Sequence, residues 1–297
     1  MTQDLTGKIA LGSVQWGMDY GVANTRGRPA RAELQRMLAA AQAAGVSLID
    51  TAFGYGDAET VIGDLKAQTS SFRIVTKTRS LDAVTDPQAA ARLVADAFRI
   101  SLARLRRDAV YGLLVHNANA LLGPDGDALW SALMEAKERG LVEKIGVSVY
   151  DPAQLEAVTR RHRIDMTQVP FNIYDRRFVA SGAIAAMKSA GIDVHVRSAF
   201  LQGLLLMDAQ SLPAHFDGIR GHHARLQSWC ASRGMTPLQA ALRFVLEQSG
   251  ADQVVIGAET ENQLREILAA THGEPAEVPA SFEITAVEIL NPSLWNL

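Results

Sequence analysis

Four polar side chains with complementary proton chemistry follow three successive apolar segments of this sequence. Asp50 ends VSLID, Lys77 ends FRIVTK and His116 ends VYGLLVH, and Tyr55 stands in the loop after Asp50. A tyrosine hydroxyl has a pKa near ~10, a neighbouring ammonium lowers that pKa, and a carboxylate keeps the ammonium charged. A histidine can orient a substrate oxygen or relay its proton. Together the four predict a proton donor and acceptor suited to reversible carbonyl and alcohol chemistry.

Each of these residues also has a purely structural explanation when it is taken alone. Asp50 could cap a turn and Lys77 could reach solvent. Tyr55 could pack on a neighbour of its GYG loop, and His116 could be a hydrogen-bonded core residue. The functional interpretation depends on the presence of all four residues together, because adjacent parallel strands would bring their side chains to the same end of the sheet that they form.

The elements that must position these residues are eight short apolar runs, most of them separated by amphipathic helical patterns. The predicted strands are KIALGSV (8–14), VSLID (46–50), FRIVTK (72–77), VYGLLVH (110–116), KIGVSVY (144–150), MTQVPF (166–171), IDVHVR (192–197) and DQVVIG (252–257). They are rich in Val and Ile and apolar at successive positions, which is typical of strands covered on both faces. The predicted helices are 31–44, 88–105, 127–139, 152–162, 178–190, 219–233, 237–248 and 260–270, with a surplus helix at 281–290.

This alternation predicts an α/β fold, a single (β/α)8 TIM barrel over residues 1–297 with a C-terminal extra helix. A doubly wound sheet would need a break near the middle or a glycine-rich turn after the first strand, and the sequence has neither. In a barrel of this kind the functional residues gather at the carboxyl ends of the strands.

Composition excludes several classes of protein. The 297 residues are 48% hydrophobic and 21% charged with a net charge of −3, which excludes disorder and gives no general attraction to nucleic acid or anionic membrane. The start lacks a signal peptide, and the single cysteine, Cys230, fits a reducing compartment, so we expect a cytoplasmic protein. No metal site is predicted, because Cys230 is isolated and His222 and His223 lack partners at ligand spacing.

The order of motifs resembles the aldo-keto reductase family across nearly the whole chain. The matching segments are LGSVQWG, DTAFGYGDAE, VTKT, LLVH, KIGVSVY, TQVPFNIYDR, RSAFLQGLLL and IGAETENQL. The resemblance is nearest to bacterial members. It implies an oxidoreductase that transfers hydride between NADP or NAD and the carbonyl or alcohol carbon of a small aldehyde, ketone or sugar. It implies that Tyr55 is the general acid and base, Asp50 and Lys77 its activating pair, and His116 the residue that orients substrate.

The resemblance also implies which residues hold the dinucleotide. From the nicotinamide through the pyrophosphate to the adenosine they are Ser148, Gln168, Asn172, Ser198, Phe200, Gln202, Gly203, Gly257, Gln263 and Glu266. Arg197 stands where many members stack an aromatic ring on nicotinamide, and a guanidinium can also lie flat against a ring. Val149 follows Ser148 where many members have asparagine, which would remove one amide contact.

The choice of dinucleotide stays open at this point. Members selective for a 2′-phosphate often carry Arg or Lys just after the strand-eight glycine, whereas this loop has Glu259 and Glu261 with only Arg265 basic. A carboxylate there would repel the phosphate of NADP and accept from the free ribose hydroxyl of NAD. If Glu259 points to solvent instead, it only favours the start of the helix.

The sequence gives little indication of which substrate the protein binds. Trp16, Met18, Tyr20 and Phe53 are the predicted lining of the substrate pocket, with a barrel plug as the alternative for Trp16. Trp130 or segment 203–218 could also reach the mouth. Two rival functions are a non-catalytic cofactor-binding barrel that acts as a redox-sensing regulatory subunit, and a TIM-barrel isomerase or lyase that binds phosphate at its glycine loops.

Overall fold

Eight parallel strands close into a barrel in the order of the sequence, with the first strand beside the eighth. The computed structural model describes residues 5–80 and 87–295. The strands are β1 (Ile9–Gly12), β2 (Leu48–Asp50), β3 (Arg73–Lys77), β4 (Val110–Val115), β5 (Val142–Ser148), β6 (Met166–Pro170), β7 (Asp193–Arg197) and β8 (Gln253–Ile256). The predicted (β/α)8 barrel is confirmed, and all eight predicted strands are present.

Helices surround the barrel. They are α1 (Val14–Gly17), α2 (Arg31–Ala43), α3 (Ala58–Asp64), α4 (Lys66–Thr69), α5 (Pro87–Leu105), α6 (Asn119–Leu122), α7 (Gly126–Glu138), α8 (Pro152–Arg161), α9 (Arg177–Ala180), α10 (Ala183–Ser189), α11 (Arg220–Ser232), α12 (Pro237–Gln248), α13 (Glu261–Ala270) and α14 (Val287–Leu290). Within the described ranges no helix is both long and apolar enough to cross a lipid bilayer.

Several boundaries differ from the sequence prediction for local reasons. The predicted fifth strand, 144–150, runs instead over Val142–Ser148, because Val142 pairs with Val110. The predicted helix 178–190 is divided into α9 and α10 at Gly182, which has a left-handed φ of 73°. The single C-terminal helix predicted at 281–290 was wrong. A 3₁₀ turn is followed by extended chain whose Ile284 N–H donates to the Tyr174 carbonyl, and only α14 is helical.

Inside the barrel, the alternation of side chains along the strands places polar residues one step nearer the carboxyl ends than a layer of apolar residues. The apolar layer consists of Ala10, Leu48, Val75, Leu114 and Met166, all fully buried. Asp50, Lys77 and Gln168 each lie two residues beyond a member of this layer, so their side chains point to the same interior one step nearer the carboxyl ends. The strand period therefore positions the polar side chains.

Candidate active site

A buried ion pair lies at the centre of the site. Lys77 Nζ is 2.5 Å from Asp50 Oδ1 and also donates to the Thr51 carbonyl at 3.0 Å. The second carboxylate oxygen of Asp50 accepts from Gln168 Nε2 at 2.7 Å. Lys77 is 1% exposed and Asp50 3%, so both charges are almost fully removed from water. Such a pair is tolerated better when other hydrogen bonds support it, and here Thr51 and Gln168 provide them.

Tyr55 and His116 stand above this pair. Lys77 Nζ lies 5.1 Å from the centre of the Tyr55 ring, and the Tyr55 and His116 ring centres are 5.7 Å apart at an interplanar angle of 80°. The loop that carries Tyr55 packs on α1, where a Cβ at Gly17 would lie only 1.9 Å from the Tyr55 carbonyl oxygen. Glycine at position 17 therefore allows the loop to hold the tyrosine beside the strand ends.

The protonation states differ in one respect from the sequence prediction. Burial, and then the Asp50 carboxylate, raise the pKa of Tyr55 instead of lowering it. The lowering predicted from Lys77 was wrong, because Asp50 lies in contact with the ammonium and the surrounding protein disfavours the phenolate. Burial, and then the Lys77 charge, lower the pKa of His116 to about 4. At neutral pH the site thus presents a neutral phenol and a neutral imidazole.

A cavity of about 570 Å³ runs from this group toward the start of α13. Most of the residues singled out from the sequence line it, namely Tyr20, Asp50, Tyr55, Lys77, His116, Ser148, Gln168, Arg197, Ser198, Phe200, Gln202, Gly203, Gly257, Glu259, Gln263 and Glu266. The structure therefore brings the proton-transfer groups and a groove lined by polar and apolar residues together in one space. A groove that extends well beyond the reacting groups fits an elongated ligand such as a dinucleotide.

The segment after β7 forms one wall of the cavity in a strained conformation. Ser198, Leu201 and Gln202 have φ values of 61°, 47° and 54°, and Gly203 follows at 89°. Positive φ costs a non-glycine residue about 1–3 kcal/mol, and such strain persists only where surrounding contacts impose it. Leu201 is fully buried. Asn172 Nδ2 also donates to the Ser198 carbonyl at 3.1 Å.

The other end of the cavity is acidic. Glu259 lies on the wall, and Gln263 holds its loop by accepting from the Glu259 N–H at 2.7 Å. Burial raises the pKa of the Glu259 carboxyl. Glu261, by contrast, pairs with Arg265 at 2.7 Å and with Arg36 at 3.5 Å. Of the two carboxylates predicted in this loop, only Glu259 lines the cavity.

Five residues considered from the sequence are not on the cavity wall, namely four predicted site residues and Trp130. Asn172 is fully buried and acts on the loop after β7 instead. Trp16 is 1% exposed and belongs to the core outside the barrel, and Met18 is exposed. Phe53 packs against Arg104, whose guanidinium carbon lies 4.7 Å from the ring centre. Trp130 packs on His162 in the core. Among the four residues predicted to line the substrate pocket, only Tyr20 contributes to the wall.

The structure adds lining residues that the sequence analysis did not single out. Tyr150 lies two residues past the end of β5, and Gln15 and Asn24 lie after β1. The available signal for Gln15 and Tyr150 was their position just beyond a strand end, whereas Asn24 lies well after β1 and had no such signal. Asn24 organises its loop by accepting from the backbone N–H groups of Arg26 and Gly27, each at 2.9 Å.

Across residues 5–80 and 87–295, His, Cys, Asp and Glu side chains form no group of three that could hold a metal ion.

Known proteins are similar to this chain over most of its length. The model of the aldo/keto reductase family matches residues 8–277. The chain is 25% identical over 281 residues to the NADH-specific methylglyoxal reductase of Escherichia coli, covering 83% of this chain and 85% of the relative. It is 23% identical over 282 residues to the aldo-keto reductase YhdN of Bacillus subtilis, covering 87% and 81%.

Solved structures show the same fold. An aldo-keto reductase of Bacillus halodurans in its holo form superposes with a TM-score of 0.72 at 21% identity, covering 95% of this chain and 91% of that one. A putative aldo-keto reductase of Pseudomonas aeruginosa gives a TM-score of 0.66 at 24% identity, covering 91% and 94%.

Proposed function

The chain belongs to the aldo/keto reductase family of NAD(P)H-dependent oxidoreductases, and on that premise we propose that Tyr55 exchanges the proton in the interconversion of a small carbonyl compound and its alcohol. In reduction the Tyr55 hydroxyl donates to the substrate oxygen as the carbon becomes an alcohol. In oxidation the phenolate takes that proton back. The nicotinamide dinucleotide, when bound, supplies or receives the hydride.

The observation that carries this proposal is the position of Tyr55 above the buried pair of Lys77 and Asp50 on the cavity wall. As a proton leaves Tyr55, negative charge develops on its oxygen. The Lys77 ammonium, 5.1 Å from the ring centre and partly offset by Asp50, reduces the free-energy cost of that charge without the reorganisation that water would need. Asp50 and Gln168 hold the ammonium in place, so both are positioning residues in this scheme.

The neutral imidazole of His116 completes the arrangement. With a pKa of about 4 it stays uncharged near neutral pH, so it can orient a carbonyl oxygen by hydrogen bonding without competing as an acid. The aromatic walls nearby are Tyr20 and Tyr150. They suit a small aldehyde or ketone, the class to which methylglyoxal, the substrate named for the Escherichia coli relative, belongs.

The dinucleotide would extend from Tyr55 along the segment after β7 to the start of α13. Ser148, Gln168 and Arg197 would hold the nicotinamide end, and Glu259, Gln263 and Glu266 the adenosine end. Backbone N–H groups are the chemistry expected against a pyrophosphate, and a glycine lets the main chain approach closely. Gly203, with its left-handed φ, fits that role.

Tyr55→Phe tests the proposal. This change removes the hydroxyl and keeps the ring, so carbonyl reduction should fall by about 10²–10⁴-fold. Affinity for the reduced dinucleotide should change by less than about twofold, because the hydroxyl acts on the substrate. Turnover of methylglyoxal and other short aldehydes would be followed by loss of NADH or NADPH absorbance, with binding measured by tryptophan fluorescence.

Tyr111→Phe is the matched control, because Tyr111 lies away from this cavity and donates to Asp193. It should leave turnover close to the parent value. Parent-like turnover in Tyr55→Phe would contradict the assignment of the proton donor. Failure of the parent chain to bind either dinucleotide would contradict the proposed function as a whole.

A further inference from the structure

Arg197 ends β7 and presents a delocalised positive charge to the reacting end of the cavity. One nitrogen of its guanidinium donates to the Val149 carbonyl at 3.1 Å and another to Ser198 Oγ at 3.2 Å. The guanidinium carbon lies 4.4 Å from the centre of the Tyr150 ring, which covers one face of the group. The side chain is thus held in a fixed orientation by three contacts, none of them with an acid.

The charge of Arg197 is not balanced at this end of the cavity. In the described parts of the chain its guanidinium forms no ion pair, whereas Lys77 is paired with Asp50. His116 is neutral, because burial lowers its pKa to about 4. Glu259 and Glu266 line the cavity at the side of α13. The group of side chains around Tyr55 therefore carries a net positive charge, which Arg197 supplies.

The chemistry of the proposed function places the nicotinamide ring at this end. Hydride transfer requires the ring carbon and the substrate carbon to approach to about 3–3.5 Å while the substrate oxygen meets the proton donor. Arg197 and Tyr55 line the same end, and the Arg197 charge acts electrostatically on Tyr55, Lys77 and His116. A ring that reacts beside Tyr55 consequently lies within the field of Arg197.

We propose that Arg197 determines the redox preference of the site by making it bind the reduced dinucleotide more tightly than the oxidised one. The inference rests on the proposed function. The nicotinamide ring is neutral when reduced and carries a positive charge when oxidised, so an unbalanced cation beside it raises the free energy of the oxidised complex alone. The same cation leaves the rest of the dinucleotide equally bound in both states. The ratio of the two dissociation constants therefore isolates the effect of the charge.

The geometry of Arg197 favours this role over recognition of a carboxylate on the substrate. Recognition of a carboxylate by arginine uses two parallel N–H donors in the plane of the guanidinium. Here Val149 and Ser198 take one N–H from each terminal nitrogen, so two of the five N–H groups are used, and Tyr150 covers one face. A flat, weakly hydrated cation held in this way is suited to contact with a ring.

The test compares dissociation constants for NADH and NAD⁺ in the parent, Arg197→Phe and Arg197→Lys, each measured by tryptophan fluorescence and by calorimetry. Arg197→Phe keeps a flat surface and removes the charge, so the ratio of the NAD⁺ constant to the NADH constant should fall by about tenfold. For a two-electron couple, this shifts the potential of the bound dinucleotide by about 30 mV. Arg197→Lys keeps the charge and loses the flat group, so both affinities should weaken while the ratio stays near the parent value. Arg139→Gln, on an exposed side chain after α7, controls for the overall charge of the protein.

A ratio in Arg197→Phe equal to that of the parent would overturn the inference, as would a ratio in Arg197→Lys that falls as far as in Arg197→Phe. If the ratio is constant but KM rises only for acidic carbonyl substrates, Arg197 binds a substrate anion and the inference is wrong. Parent protein that binds neither dinucleotide would instead refute the proposed function, so the two failures can be told apart.

Discussion

The two ends of the cavity are built in different ways. At the reacting end, Asp50 and Lys77 stand on adjacent barrel strands, almost completely buried and joined at 2.5 Å. Toward the other end, the wall includes the loop residues Gln202 and Gly203, which have positive φ values, and Glu259, which is half-buried before α13. The first end is fixed by the barrel itself, and the second by contacts between loops.

This difference has energetic consequences. Removing one member of a buried ion pair leaves an uncompensated charge in the interior, which costs about 3–5 kcal/mol. A half-buried carboxylate in a loop has water available, so changing it affects stability little and acts mainly on whatever binds there. We therefore expect variants at the reacting end to affect folding and catalysis together, and variants at the α13 end to change dinucleotide preference alone.

The largest effect is expected for Lys77→Met. Asp50 would be left as a buried anion that retains the Gln168 contact, and unfolding free energy should fall by about 3–5 kcal/mol. The same anion would raise the pKa of Tyr55 further, so alcohol oxidation, which needs the phenolate, should lose more activity than carbonyl reduction. Urea unfolding and initial rates in both directions measure these changes.

Arg160→Met gives the matched control for this prediction. Arg160 pairs with Glu156 on α8, where the two side chains are 75% and 63% exposed. Because exposed pairs contribute little, stability should change by less than about 1 kcal/mol. If Lys77→Met lowered the unfolding free energy no more than Arg160→Met does, burial of the ion pair at the reacting end would not contribute to stability as expected.

A decrease in pH is expected to have an intermediate effect on the stability of the protein. Burial lowers the pKa of His195, on β7 inside the barrel, to about 4, and that of His116 likewise. In the unfolded chain a histidine takes up a proton near pH ~6.5. The unfolded state therefore binds more protons between pH ~6.5 and about 4, and stability should fall as pH decreases through this window, by up to about 3 kcal/mol per histidine.

His195→Leu separates this contribution from the rest of the molecule. The variant should lose less stability than the parent between pH 7.5 and pH 5.0, as measured by urea unfolding at both values. An identical loss in the two proteins would mean that His195 is not kept neutral by the fold.

The positions that sequence reasoning located well are those set by the strand period. Asp50, Lys77 and Gln168 project into the barrel because each lies two residues beyond an apolar interior residue, and that spacing can be read from the sequence. The direction of the Tyr55 pKa could not be predicted in this way. It depends on how closely Asp50 neutralises Lys77 and on how deeply the ring is buried.

Phe53 and Trp16, predicted to line the substrate pocket, lie off the cavity wall although both are near strand ends in the sequence. Phe53 is held by Arg104 of α5, and Trp16 enters the core outside the barrel. No local pattern distinguishes such an aromatic from one that lines the mouth. The extended chain at Ile284 shows the same limit, because its partner, Tyr174, lies 110 residues earlier.

The smallest effect is expected from Glu259→Arg, which acts on binding at the α13 end. Glu259 lines the cavity with a carboxyl whose pKa is raised by burial, and Glu33 accepts the N–H of Glu261 at the start of α13. Two acids near this position disfavour the 2′-phosphate of NADPH, so we expect the parent to prefer NADH. Arginine at position 259 would replace repulsion by a charge-assisted contact of about 1.5–3 kcal/mol. Affinity for NADPH should rise by about tenfold or more, while affinity for NADH stays flat or falls.

Glu274→Arg makes the same change in charge at an exposed position outside the cavity and should leave both affinities unchanged. Dissociation constants for NADH and NADPH in the parent and both variants provide the comparison, together with urea unfolding of each. The unfolding free energy of Glu259→Arg should stay within about 1 kcal/mol of the parent, because a half-exposed loop carboxylate contributes little to folding. An unchanged preference would mean that Glu259 does not face the ribose. A large loss of stability would mean that the α13 end is as firmly built into the fold as the ion pair at the other end.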